Sequence, residues 1–234
     1  MRFGSLFSGI GGLDLGLERA GMECIWHSEI DPYASRVLHK HWPTVPNLGD
    51  VTAIDWSAVE RPDLICGGYP CQPFSYAGRR GGSSDPRHLW PYFAHALRVL
   101  RPDWALLENV PGHLTLGLNE VLGDLAALGF DAEWSVVSAC AMGAPHTRER
   151  LFVVAHAQGH NGQNHVPGSA PLLRQSRRAG STTGSNRWLP EPSMGRVAHG
   201  VPSGVVRPQL RALGNAVVPQ VAEYVGRLIM ETAQ

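Results

Sequence analysis

The chain has 234 residues, 43% hydrophobic and 17% charged, which supports one sizeable packed domain and excludes global disorder. No apolar run approaches the ~20 residues of a membrane helix and MRFGSLFSGIGG lacks a signal-peptide pattern, so a soluble, cytoplasmic protein is expected. The formal net charge of zero is segregated: residues 1–139 hold 10 basic against 16 acidic side chains, and residues 140–234 hold 10 against 4.

RFGSLF (2–7) is a short apolar run ending in glycines and reads as a buried strand entering a tight turn. A helix over about 12–20 follows, with Leu13, Leu17 and Ala20 on one face and Gly21 as its stop. CIWHSEI (24–30) is the next strand, and Asp31-Pro32 is an N-cap and first-turn pair for a helix to about His41. A third strand is expected to end near Asp50. Arg61-Pro62-Asp63 and Arg101-Pro102-Asp103 introduce the strands LIC and WALLENV, each proline standing where a strand tolerates it. Leu89, Phe93, Ala96, Leu97 and Leu100 form a helical stripe between them, and Leu118, Val121, Leu122, Leu125 and Leu128 form another closed by Gly129.

EWSVVSA (133–139) and LFVVAHA (151–157) are further strands. Strands separated by helix-length crossovers predict a doubly wound α/β fold, its mostly parallel sheet covered on both faces. Residues 157–205 are rich in Gly, Ser, Asn, Pro and Arg, and read as a small irregular insert. Val217, Val221, Val225 and Leu228 then define a closing amphipathic helix.

FSGIGG (7–12) opens the first helix directly after the first strand, where glycines let a ligand approach the backbone. Glu29, about 20 residues on, ends the second strand, where an acidic side chain meets ribose hydroxyls in dinucleotide folds. Asp50, in GDVT, is placed to accept from an adenine amino group. Each carboxylate alone also reads as a solvated loop residue, but an adenosyl cofactor fits the three features together.

In GGYPCQPFS (67–75), Cys71 stands on a proline- and glycine-fixed loop at the same sheet edge, a setting for an activated thiol nucleophile. Buried structural roles serve Cys24, Cys66 and Cys140 better. With no CxxC pair among the four, neither a disulfide framework nor a metal site is expected. Glu108 closes WALLENV, where partial desolvation raises a carboxyl and suits it to hold a proton; an N-cap before Pro111 is the plainer alternative. Arg148 and Arg150 precede a strand, and alternation in an extended segment would point both to one face. Nineteen of the 20 basic residues are arginine, which suits phosphate and guanine recognition; GC-rich coding explains that count as well, but not the segregation of sign.

The series FSGIGG, PCQ, ENV, the R-x-R of HTRER and GNAVVPQ (214–220) resembles that of the DNA cytosine-5 methyltransferases, over residues 1–156 and about 206–234. The resemblance implies a Rossmann-like S-adenosylmethionine-binding catalytic domain over those residues and a short target-recognition insert at 157–205. It implies that Cys71 attacks carbon 6 of a flipped cytosine, that Glu108 engages ring nitrogen 3, and that Arg150, with Arg148 nearby, contacts the base carbonyl. S-adenosyl-L-methionine would be held by Phe7, Gly9, Gly11, Gly12, Glu29, Ile30, Asp50, Pro70, Asn215 and Ala216. Double-stranded DNA would be contacted by Gln72, Ser75, Arg174, Arg177, Arg178, Arg187 and Arg196. The compact form resembles prokaryotic or phage-encoded members acting as monomers, some within restriction–modification systems. His146 stands where many members carry glutamine, and the insert is shorter than usual. An inactive DNA-binding relic of the fold and an RNA cytosine-5 methyltransferase are the alternatives.

Overall fold

In the computed structural model, residues 1–70, 89–157 and 203–233 are described. They form six strands, β1 (Arg2–Leu6), β2 (Glu23–Ser28), β3 (Leu64–Gly67), β4 (Trp104–Asn109), β5 (Phe130–Ser138) and β6 (Glu149–Ala157). The helices are α1 (Gly12–Arg19), α2 (Pro32–His41), α3 (Trp90–Leu100), α4 (Leu118–Ala127), α5 (Ser203–Asn215) and α6 (Pro219–Thr232). The strands make one sheet in the order β2-β1-β3-β4-β6-β5.

Local chemistry accounts for most boundaries. Asp31 caps α2 by accepting from the amides of Tyr33 and Ala34 at 2.9 Å, and Pro32 supplies the first turn. Gly21 follows α1 in the left-handed conformation at φ 94°, where a side chain would be strained. The two Arg-Pro-Asp segments lie side by side, the amides of Asp103 and Trp104 donating to Asp63 O at 2.9 and 3.0 Å. That contact sets β3 and β4 in parallel register, Leu64 opposite Trp104.

Strand alternation divides the core between two faces. Leu6, Ile65, Ala105, Leu107, Leu151 and Val153 pack beneath α3 and α4, against Phe93, Leu97, Val121 and Leu125. Phe3, Leu64, Leu106, Phe152 and Val154 face α1 and α6, against Leu13, Leu17, Val221, Val225 and Ile229. Small residues let α1 and α6 meet closely: a Cβ built on Gly16 would lie 2.3 Å from the Ala222 side chain and 2.5 Å from Pro219 O.

The mostly parallel sheet is borne out with one reversal: β1 to β4 pair in parallel, and β6 pairs antiparallel with both β4 and β5. Only ten residues join β5 to β6, too few for a helical crossover, and they hold one short 3-10 turn at Ala139–Met142. Two expectations need correction. No third strand leads into Asp50, only an isolated parallel bridge between His27 and Asn47. Pro43 and Pro46 lack the N–H groups that a longer ladder needs. Finally, α5 begins at Ser203, inside the segment read as irregular, and carries Pro208 within it.

Candidate active site

The carboxyl ends of β1, β2, β3 and β4 share one edge of the sheet. Because β6 runs the opposite way, its first residues reach the same edge. Glycine loop, Glu29, the exit of β3, Glu108 and the two arginines therefore converge there.

The glycine loop leaves β1 through Phe7, whose φ of 54° is a left-handed backbone rare for an aromatic residue, and through Gly9 and Gly11 at 56° and 79°. A Cβ on Gly11 would lie 2.5 Å from the Trp42 ring, so only glycine fits. A Cβ on Gly12 would stand 2.4 Å from Val217 O, which brings the loop against the start of the C-terminal helix. Glu29 holds the loop from β2: its Oε2 accepts from Gly9 N and its Oε1 from Asp31 N, each at 2.7 Å. Ile30, beside it, is 69% exposed, an apolar side chain facing outward at a polar edge. Asp50 accepts from the amide and hydroxyl of Thr52 at 2.9 and 2.8 Å, both through Oδ1, and these bonds hold its carboxyl below the usual range.

Glu108 is buried at 7% exposure, and its Oε1 meets Arg150 Nε at 3.0 Å. The pairing follows from register. Glu108 lies opposite Phe152, and Arg150, two residues earlier on β6, shares that face. Burial pushes the Glu108 carboxyl up from 4.5 to about 7, against the downward pull of the Arg150 and Arg148 charges. Gly68, just past β3, runs directly over it: an added Cβ would come within 2.7 Å of Glu108 Oε2.

Arg148 and Arg150 do not act as an alternating pair. The φ of Arg148 is 26°, which breaks the extended run before β6 begins at Glu149. Its guanidinium instead donates to the carbonyls of Gly214 and Ala216, at 2.8 and 2.5 Å, and ties the α5–α6 junction to the site. Asn215, between these two carbonyls, is exposed. Pro70 is exposed at the end of the described β3 exit. A cavity of about 530 Å³ opens beside this junction, lined by Gly11, Gly12, Trp42, Arg148, Ala216 and Val217 among others, and it includes none of Phe7, Glu29 or Asp50.

Residue-type patterns did not point to the network that holds the β3 exit. Tyr69 OH lies 2.6 Å from His113 Nε2, both side chains buried, and Asn109 Nδ2 donates to Tyr69 O at 3.2 Å. The weak signal was that His113 follows ENV by three residues. Cys71, Gln72, Ser75, Arg174, Arg177, Arg178, Arg187 and Arg196 lie outside the described residues. No helix among the described residues is long and apolar enough to cross a membrane.

Comparison with known proteins adds to this geometry. The family model of the C-5 cytosine-specific DNA methylase matches residues 1–189. The Type II methyltransferase M.HgiCII of Herpetosiphon aurantiacus is 36% identical over 165 residues, covering 67% of this chain and 37% of that protein. M.NgoBV of Neisseria gonorrhoeae is 31% identical over 207 residues, covering 81% and 49%. The chain thus spans half or less of the length of these relatives. Among solved structures, S. pombe Dnmt2 methyltransferase superposes with a TM-score of 0.61 at 22% identity, over 75% of this chain and 55% of that one. The Entamoeba histolytica methyltransferase EhMeth gives 0.68 at 16% identity, over 100% and 99%; both likenesses bear on the fold. With its mixed six-stranded sheet and a family match across most of its length, the chain belongs to the C-5 cytosine-specific DNA methylases.

Proposed function

We propose that this chain methylates carbon 5 of cytosine in double-stranded DNA, with Cys71 as nucleophile and Glu108 as the acid beside it. The observation that carries the reading is the buried Glu108–Arg150 pair next to the exit of β3. Gly68 lies against the Glu108 carboxyl, and Cys71 follows it by three residues in the sequence. Carbon 5 of cytosine is a poor nucleophile until addition at carbon 6 makes the ring enamine-like, and neither carbon is reachable within the base stack. Cys71 supplies that addition to a flipped base. Glu108, neutral below about pH 7, donates at ring nitrogen 3, and Arg150 holds the carboxyl in place and offers its remaining N–H groups to the base carbonyl. Once carbon 5 carries the transferred methyl group, loss of its proton to a base expels the cysteine as a thiolate.

S-adenosylmethionine, when bound, supplies the methyl group on a sulfonium. The carboxyl edge suits it. Gly9 has open space where a side chain would stand, Glu29 is held rigid by two amides, and Ile30 presents an apolar surface for an adenine face. Asp50, held ionised, offers an acceptor for the adenine amino group. Arg148 holds the Gly214 and Ala216 carbonyls on the other side, with Asn215 between them. The basic insert at 157–205, through its five arginines, would neutralise phosphates.

The test is bisulfite sequencing of plasmid DNA from methylation-deficient cells expressing the wild type or Cys71→Ser. Protection of cytosines in one sequence context, lost in the variant, is the expected result. Protection that persists at the wild-type rate in Cys71→Ser would refute the assigned nucleophile, and no protection in either would refute the DNA activity.

A further inference from the structure

On the face of the sheet away from α3 and α4, beneath the glycine loop, lies a second cluster of chemical groups. Cys24 and His27 are three residues apart on β2, and in a regular strand they would point to opposite faces. They do not, because the register slips: Phe3 pairs with Cys24, but Gly4 pairs with Trp26 and Ser5 with His27. Ile25 is the extra residue of a bulge, and Cys24 and His27 come to share the face of Phe3 and Ser5. Helix α1 covers that face and turns Asp14 inward from its first turn. The three side chains are all buried, and their ligand atoms lie within 4.8 Å of one another.

Hydrogen bonding accounts for the Cys24 thiol, which donates to Trp26 O at 3.6 Å, but poorly for Asp14. His27 Nε2 is 3.4 Å from Cys24 Sγ and 3.3 Å from Asp14 Oδ1, and that nitrogen carries at most one proton to share between them. Asp14 Oδ2 is fully buried and has no hydrogen-bond donor among the described residues. A buried carboxylate short of donors is costly. A cation among the three groups would satisfy them all. With metal–sulfur at about 2.3 Å and metal–nitrogen or –oxygen at about 2.0–2.1 Å, edges of 3.4 and 3.3 Å correspond to angles of roughly 100–110° at a common ion, as tetrahedral coordination requires.

We propose that Asp14, Cys24 and His27 form a buried structural site for a zinc-class divalent ion, which fastens α1 to β2 directly under the glycine loop. The mixed thiolate, imidazole and carboxylate set selects that class over calcium or magnesium. Charge balances: one carboxylate and one thiolate neutralise a 2+ ion, with the imidazole neutral. Cys66, buried on the same face opposite Ser5, stands outside that cluster.

The experiment uses untagged full-length chain from zinc-supplemented cells, and a second sample unfolded in chelator and refolded with Co²⁺ under reducing conditions. We expect one equivalent of zinc by mass spectrometry in the first. The second should show a near-ultraviolet thiolate-to-cobalt charge-transfer band. Both signals should vanish in Cys24→Ser and His27→Gln and persist in Cys140→Ser. If the variants fail to fold, X-ray absorption on the wild type decides: one sulfur near 2.3 Å with nitrogen and oxygen near 2.0 Å supports the site, and an all-sulfur or sulfur-free shell overturns it. A wild type that folds and takes up neither ion also overturns it.

Discussion

The Glu108 carboxyl gives a stability signature that can be measured without substrate. Below about pH 4.5 it is neutral in both folded and unfolded chains and contributes no slope. Between 4.5 and about 7 the unfolded chain releases that proton while the folded chain keeps it, so folding weakens as pH rises, by up to ~1.4 kcal/mol per pH unit. Above 7 the loss levels off at about 3 kcal/mol, the displacement from 4.5 to about 7 expressed as free energy. Glu108→Gln keeps the shape and removes the titration. Urea unfolding of both proteins in steps from about pH 4 to pH 9 gives the comparison, because every other group cancels in the difference. The variant should gain on the wild type as pH rises through that window, by about 3 kcal/mol in all, and stay level outside it. A pH-independent difference would refute the argument that burial dominates this carboxyl. A gain with falling pH would show that Arg150 and Arg148 outweigh burial.

Other perturbations follow from the same geometry. Arg150→Ala removes the cation 3.0 Å from Glu108, so the upper end of that window should move above pH 7 in the same unfolding series. Gly16→Ala drives a methyl into Ala222 and the Pro219 carbonyl, and should cost about 1–3 kcal/mol in urea unfolding with the slope unchanged. Asp31→Ala removes the cap that accepts from Tyr33 and Ala34 and should cost ~1 kcal/mol, read as a lower Tm. Arg148→Lys gives up the fork that holds the Gly214 and Ala216 carbonyls; calorimetric titration should show S-adenosylmethionine binding weakened about tenfold, or ~1.4 kcal/mol.

What the sequence made legible was local. Asp31-Pro32, Gly21 after α1 and the Arg-Pro-Asp pairs mark boundaries through chemistry that acts over three or four residues, and the apolar stripes of α3, α4 and α6 give their buried faces. Pairing direction is not local: β5 and β6 are apolar runs that look alike whichever way they run. The one available clue was that the link between them is too short to carry a helix back across the sheet. The face shared by Cys24 and His27 was hidden for a related reason, since a bulge resets the alternation on which the reading of β2 relied. Parity also failed at Arg148, where a single positive φ sends neighbouring arginines to different partners. Cys71 and the insert arginines were prominent in the sequence but lie outside the described residues.

Among the described residues, the one antiparallel strand is what assembles the candidate site. Had β6 run parallel to β4, its first residues would sit at the opposite edge of the sheet. A nine-residue strand spans ~30 Å, so Arg150 could not approach Glu108. Running against β4, it delivers Arg150 to the carboxyl while Arg148, just before the strand, grips the C-terminal segment that packs on Gly12. Acid, cation and C-terminal segment thereby become one mechanical unit, anchored on a core strand. The same placement sets the chemistry. Burial between β4 and β6 raises Glu108 by more than two nearby guanidinium groups lower it, and the carboxyl comes to rest near neutrality, where it can both give and retain a proton.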